Sequence, residues 1–513
     1  MPREYVPLAF PPGVYRNGTR YQSKGRWYDS HLVRWHEGAI RPVGGWEVVP
    51  GCTPGNSALA LRTLHAWRSH NQKARLAMGT NASAHVFTEG STATITPAGL
   101  VTGAVDAVPS TGLYGVGAYG VGPYGKGNPT QVSLAPPAIW QFDNFGNDLL
   151  GVLNTDGKIY RWNGTGLFTV ITNAPVDNTG VVVTPERFVV ALGAGGQKRL
   201  VQWSSQEDPD EWDPTVTGSS AGDYPLQCLG AIVCGRRSKG ETLIWTEDEM
   251  FVMRYIGGQF VYAFDQVGTK CGPIGPNAVA TKDGRAYWMG KNGFFVYDGY
   301  VRQIPCEVFD VIFKDINTVQ QSKSFVSVNS LFNELYVFWP AADAMEPNRY
   351  ALWNLDTGHW AIGTMARTSA VDRGVYDQPF MAGPNGLVYR HEFGYDRPNA
   401  NAKTLNEGFT ALPAPYAESG PMEIGDGDRV LSLVGLVPDE ATRAGQVSGN
   451  VDAYLYGQLY PTAPEQAVGP ISLANPTSVR LTARQIRVKL QESVAGDWAV
   501  GNLRVDGLPG GRR

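Results

Sequence analysis

Apolar and polar positions alternate in short runs along most of this chain. Asp-Gly, Asn-Gly and Pro-containing breaks separate the runs. LHAWRSHNQKARLAMGTNASAHVF, NTDGKIYRWNGTGLFTV, ETLIWTEDEMFVMRYIGG, KDGRAYWMGKNGFFVYDGYVRQI, NELYVFWP with RYALWNLDTGHWAI, and GPNGLVYRHEFG share one form. Each reads as two aromatic or β-branched strands around a turn. Asp156-Gly157, Asp283-Gly284 and Asp298-Gly299 are strong hairpin signals. A lone hairpin is marginal in water, so these units must share a core. Hairpins recurring every few tens of residues predict an all-β fold, a β-propeller of about six blades over residues 56–400. A set of ordinary β-sandwiches is the competing reading.

The flanks differ. Residues 1–55 carry Pro11-Pro12-Gly13, Gly25, Gly38 and Gly44-Gly45 and read as an extended arm. The arm cannot form a core alone, yet it holds Trp27, Trp35 and Trp46. Large aromatics of this kind anchor interfaces, so deletion of residues 1–50 is expected to leave a folded propeller that fails to assemble. In PCEVFDVIFKDINTVQQSK, Val308, Phe309, Ile312, Ile316 and Val319 fall at helical spacing behind Pro305, with Lys314, Asp315 and Gln320 facing out. Residues 401–415 read as a polar linker and 416–513 as a β-sandwich-like unit. In its SVRLTARQIRVKLQES, the apolar parity changes near 483–485, which predicts a bulge. Arg480, Arg484, Arg487 and Lys489 then line one side. A solvated strand face is the ordinary reading of such a stripe; a contact with DNA or an acidic partner is the functional one.

Composition narrows the class. In 513 residues, 62 Gly, 35 Pro, 23 Tyr and 14 Trp suit turns and aromatic-rich strands. A net charge of −4 is not that of a tight nucleic-acid binder. No apolar stretch is long enough for a signal peptide or a membrane span. Cys52, Cys228, Cys234, Cys271 and Cys306 are odd in number and lack C-x-x-C spacing, so free thiols are expected rather than a metal or redox site.

YGVGAYGVGPYG, residues 114–125, spells G-x-G-x-x-G twice. A dinucleotide fingerprint must close a buried strand and open a helix. No compact apolar strand precedes it, and Pro123, Gly125, Gly127 and Pro129 forbid a helix after it. The stretch belongs instead to an insertion at about 91–135, between the first and second blades. Glycine frees its backbone, and Tyr114, Tyr119 and Tyr124, with Lys126, offer flat contact area for a channel or a subunit joint. A mobile surface loop is the plain alternative.

Catalytic chemistry is sparse. The seven histidines form no metal spacing, and there is no G-x-S-x-G elbow. The carboxylates of QEDPDEWDP, among them Asp208 and Asp210, are expected in an exposed polar turn capped by Trp212. No enzyme activity and no cofactor are expected. The competing readings are a glycan hydrolase using Asp208 and Asp210, or a glycan-binding propeller in which tryptophans stack on sugars. Trp203, Trp245, Trp288 and Trp353 at matching strand positions favour core packing instead.

One resemblance covers nearly the whole chain. PPGVYRNGTRYQSKGRWYDSHLVRWHEG, the YG repeats, VQWSSQEDPDEW, LIWTEDEMFVMRYIGG, KCGPIGP, AYWMGKNGFFVYDG, IPCEVFD and ESGPMEIGDGDR occur in that order. The succession resembles the tail nozzle or tail hub proteins of short-tailed bacteriophages, also called packaged-DNA stabilisation proteins. Each motif alone is weak; the order is specific. The resemblance implies a structural virion protein without catalytic residues, assembled in the host cytoplasm. It implies a homohexameric ring of propellers on a platform built by the arm and the C-terminal unit. Such a ring would hang below the portal and the adaptor ring, carry tail fibres or spikes, and touch double-stranded DNA in passing, without stable membrane insertion.

Overall fold

A computed structural model describes residues 4–54, 59–110, 133–398, 412–423, 429–438, 451–460, 463–473 and 475–509. The fold is a β-propeller joined to a β-sandwich. Seven four-stranded antiparallel sheets form the blades: residues 63–94, 140–170, 180–225, 232–269, 279–304, 325–364, and 369–391 completed by Trp46–Val48. The count exceeds the sequence expectation of about six by one. The six hairpin units read from the sequence belong to blades 1, 2, 4, 5, 6 and 7. Blade 3 escapes because its strands Gly180–Val183 and Val189–Leu192 are buried at every position. Burial on both faces leaves no apolar–polar alternation to read.

The three Asp-Gly turns each join paired strands. Asp283 (φ 52°) and Gly284 (φ 80°) are both left-handed between Val279–Lys282 and Arg285–Gly290, as a two-residue type I′ hairpin requires.

The core is layered between blades. Separate apolar clusters fill the joints of blades 1–2, 2–3, 3–4, 4–5 and 7–1. The joints around blade 6 merge with the arm and the sandwich into one large core.

The sandwich has two sheets. The first runs Glu4–Leu8, Leu503–Pro509, Leu431–Pro438, Thr477–Ala483; the second runs Trp27–His31, Tyr416–Ser419, Gln485–Glu492, Val451–Gln458, Gln466–Ser472, with Met422–Glu423 beside Gln485–Glu492. The arm thus gives one strand to each sandwich sheet and a third, Trp46–Val48, to blade 7. That third strand pairs with Val388–His391 and closes the propeller ring. The expectation that the arm is dispensable for the propeller is corrected by this strand: residues 1–50 include all of it.

Two other expectations change. The helix spans only Phe309–Phe313. Val308 and Ile312 are buried as the spacing requires, but Gln320 is buried too, not outward-facing. Its amide both donates to and accepts from the backbone of Ala107, at 2.9 and 3.0 Å. The predicted bulge near 483–485 is a corner. Thr477–Ala483 lies in one sheet and Gln485–Glu492 in the other, so the parity changes because the chain switches sheets.

Candidate functional site

The propeller axis is the natural place to look for a site, because seven inner strands converge there. Side chains stitch it nearly shut. The Gln141 amide of blade 2 reaches across blade 3 and donates to Val233 O of blade 4 at 3.4 Å. It passes over Gly180, where a Cβ would sit 2.4 Å from Gln141 Oε1. Asn277, at the head of blade 5, donates to Arg62 O and Thr63 Oγ1 at blade 1, at 3.0 and 3.2 Å. Arg236 of blade 4 donates to Pro276 O at 2.8 Å. His65 Nε2 donates to Asn144 Oδ1 at 2.6 Å, and Asp143 accepts from Val183 N at 2.8 Å. Burial pushes His65 below the ordinary histidine range, so it is a neutral donor.

A cavity of about 380 Å3 remains among these residues. The hydrogen bonds from Gln141 to Val233 and from Asn277 to Arg62 span the axis and leave no passage for a DNA duplex. Among the described residues, no group of three or more His, Cys, Asp or Glu is placed to hold a metal ion.

The insertion between blades 1 and 2 is rooted at one mouth of this axis. Its described part begins after the last strand of blade 1, Ser91–Thr94, so residues 91–94 belong to the blade. Asn81 bonds Gly103 through side chain and backbone, and Ala138 N donates to Ala104 O at 2.9 Å. Further on, Arg62 donates to Val105 O at 2.9 Å and to Glu346 Oε1 at 2.7 Å. Fully buried Lys323 pairs with Asp106, and with Glu346 at 3.3 Å. The root therefore spans the ends of the inner strands of blades 1 and 6. Burial and nearby Arg62 push Lys323 below the ordinary lysine range, against the pull of Glu346 and Asp106. Val108–Ser110 then pairs with Ser133–Ala135 as a two-stranded ribbon. Tyr114, Tyr119, Tyr124 and Lys126 lie outside the described residues.

The arm tryptophans are internal. Trp27, Trp35 and Trp46 are all at most 5% exposed, packed against blades 6 and 7 and the sandwich. They anchor the arm to its own chain, which corrects their reading as free anchors for a second subunit. Ser30 Oγ exchanges hydrogen bonds with Ile362 O and N at 2.9 and 3.0 Å, and Thr364 N donates to His31 Nδ1 at 3.1 Å. These bonds fasten the second sandwich sheet to the outer strand of blade 6.

The candidate basic strand is divided. Arg480 is exposed on the first sheet, and Arg484 sits at the corner over the Tyr460 ring. Arg487 is buried on the second sheet and paired with Glu418 and Glu465, each at 2.5 Å. Lys489 lies over the Tyr416 ring, 4.6 Å from its centroid. These four side chains make no continuous cationic stripe, because the sheet switch separates Arg480 and the two glutamates neutralise Arg487.

Asp208 and Asp210 are exposed on the loop between the third and fourth strands of blade 3; Asp210 pairs with Arg161 at 3.2 Å. Trp212 is buried beneath, donating to Pro209 O at 2.8 Å. Trp203, Trp245 and Trp288 are at most 5% exposed, and Trp353 is half-buried. Their strand positions do not match: Trp203 and Trp353 are on third strands, Trp245 and Trp288 on second strands. Burial pushes all five thiols above the ordinary cysteine range, with Cys52 and Cys306 at about 12, so none is an activated nucleophile. No described helix is long and apolar enough to cross a membrane.

No family model matches the chain, and no curated protein matches it in sequence. Solved structures similar in fold include virginiamycin B lyase from Staphylococcus aureus. That enzyme is 8% identical, with a TM-score of 0.42 over 67% of this chain and 99% of that one. The Pan2 WD40 domain of Neurospora crassa is 10% identical, with a TM-score of 0.39 over 70% of this chain and 96% of that one. Likenesses this distant carry nothing about function.

Proposed function

We propose that this chain is a structural protein of a short bacteriophage tail, a nozzle or hub subunit. Six copies would form a ring that extends the DNA channel below the portal and adaptor, retains the packaged genome and passes it during ejection. The observation that carries this reading is the succession of motifs from PPGVYRNG in the arm to ESGPMEIGDGDR in the sandwich. They fall in chain order on the arm, the insertion, blades 3, 4 and 5, the helix and the sandwich. The plugged axis adds a constraint: DNA passage has to run between copies. The low net charge suits passage, since each neutralised phosphate adds a salt-dependent hold on DNA.

The test is negative-stain imaging of the purified full chain, alone and mixed with phage adaptor rings. Six-fold rings seated on the adaptor are expected. A chain that stays monomeric and ignores the adaptor at every concentration tried would overturn the reading.

A further inference from the structure

A cluster away from the axis has more carboxylates than cations. Arg34, on the arm hairpin Val33–His36/Ala39–Pro42, inserts between blades 6 and 7 and is 1% exposed. Its Nη1 and Nη2 donate to Glu392 at 3.0 and 2.5 Å. Its Nε lies 3.1 Å from Glu334 Oε1, and its guanidinium lies 3.7 Å from the Phe332 ring centroid. Glu392 is fully engaged: it also accepts from Gly44 N and Asn329 Nδ2, each at 3.0 Å. Gly44 is required there, since a Cβ would come 2.5 Å from Glu392 Oε2. Glu334 is the surplus carboxylate. It is 1% exposed, and its Oε2 is buried without a hydrogen-bond partner among the described residues.

Two dry carboxylates around one guanidinium leave one negative charge uncompensated. Burying such a charge is expensive, and proton uptake removes it. We propose that Glu334 Oε2 holds one proton at neutral pH and that the seating of the arm on blades 6 and 7 is coupled to that proton. The groups facing the cluster do not supply a second cation close by. Tyr336 and Tyr350 of blade 6 are held neutral by burial, and Tyr395 borders Glu392; Arg41, opposite Arg34 in the hairpin, lies by Tyr395 and 3.7 Å from Glu37, and Arg397 pairs with Glu492 at 2.7 Å. Burial pushes the Glu334 carboxyl up to about 8, with Glu392 adding to the shift and Arg34 opposing it. The stabilising effect of the proton is complete below the ordinary glutamate value of 4.5 and is lost as pH rises to about 8. The inference is independent of any tail assembly.

Hydrogen exchange at amides of residues 33–46 tests it, in the full chain against Glu334→Gln, which mimics the protonated acid. At each pH the wild-type rate is divided by the variant's, which cancels intrinsic exchange. The ratio is expected to rise by up to about tenfold per pH unit between pH 5 and 8 and to level off above. A flat ratio would overturn the proposal. Should Glu334→Gln fail to fold, the wild type decides alone. Protection at 33–46 must then fall with pH relative to the blade 3 strand Val189–Leu192, and equal pH dependence at both places overturns the proposal.

Discussion

Trp46 and Arg367 lock the ring from inside blade 7. The Trp46 indole donates to Pro398 O at 2.9 Å, and its ring stacks on His391. Arg367, completely buried, lies over the rings of Trp46 and Tyr389 and donates through Nε to His391 Nε2 at 2.9 Å. Burial, and then Arg367 itself, push His391 far below the ordinary range, so this ring stays neutral and accepts. No carboxylate pairs with Arg367 among the described residues. Trp46→Ala would open a cavity in the closure and uncover the cation, an expected loss of about 3–5 kcal/mol. Arg367→Met keeps apolar length and removes an uncompensated charge, so its effect is expected to be much smaller. Denaturant unfolding followed by circular dichroism compares the two; a larger loss for Arg367→Met would reverse their assigned roles. Trp46 was legible as an anchor because a large aromatic stood in a Pro- and Gly-rich arm. Its partners were not, since Arg367 and His391 lie more than three hundred positions away. The same distance hid Arg34 with Glu334 and Glu392: sequence shows a charge but not its burial.

At the scale of elements, the arm decides what a truncation does. Deletion of residues 1–50 removes Trp46–Val48 from blade 7 and Trp27–His31 from the second sandwich sheet. The product is expected to be insoluble or to unfold without a cooperative transition. Deletion of residues 1–8 removes only the edge strand Glu4–Leu8 and is expected to keep a cooperative melt, a few degrees lower. Scanning calorimetry separates them, and a cooperative melt of the 1–50 deletion at the full-length temperature would refute the closing role. Hairpins with Asp-Gly turns were legible because their chemistry is local. The all-buried strands of blade 3 were not. The segment after Pro305 kept a helix only to Phe313; beyond it, Asn317 and Gln320 turn their amides to distant backbone, and such tertiary bonds override helical spacing.

At the scale of the molecule, the question is whether any surface does chemistry. A glycosidase needs two carboxylates facing each other across a cleft, about 5–9.5 Å apart, one of them in surroundings that raise its pKa. Asp208 and Asp210 stand on an exposed loop, with Asp210 engaged by Arg161. Glu334, Glu392 and Glu346, whose side chains are at most 14% exposed, are committed to Arg34 and Arg62 at structural joints. The axis is closed by Gln141, Asn277 and Arg236, and its His65 and Asp143 are engaged by Asn144 Oδ1 and Val183 N. Incubation with host polysaccharide and peptidoglycan is therefore expected to release no reducing ends. Asp208→Asn and Asp210→Asn should leave that result, and the melting temperature, unchanged. Release of reducing ends by the wild type that either substitution abolishes would place an active site on blade 3, and the structural reading of the whole chain would fall with it.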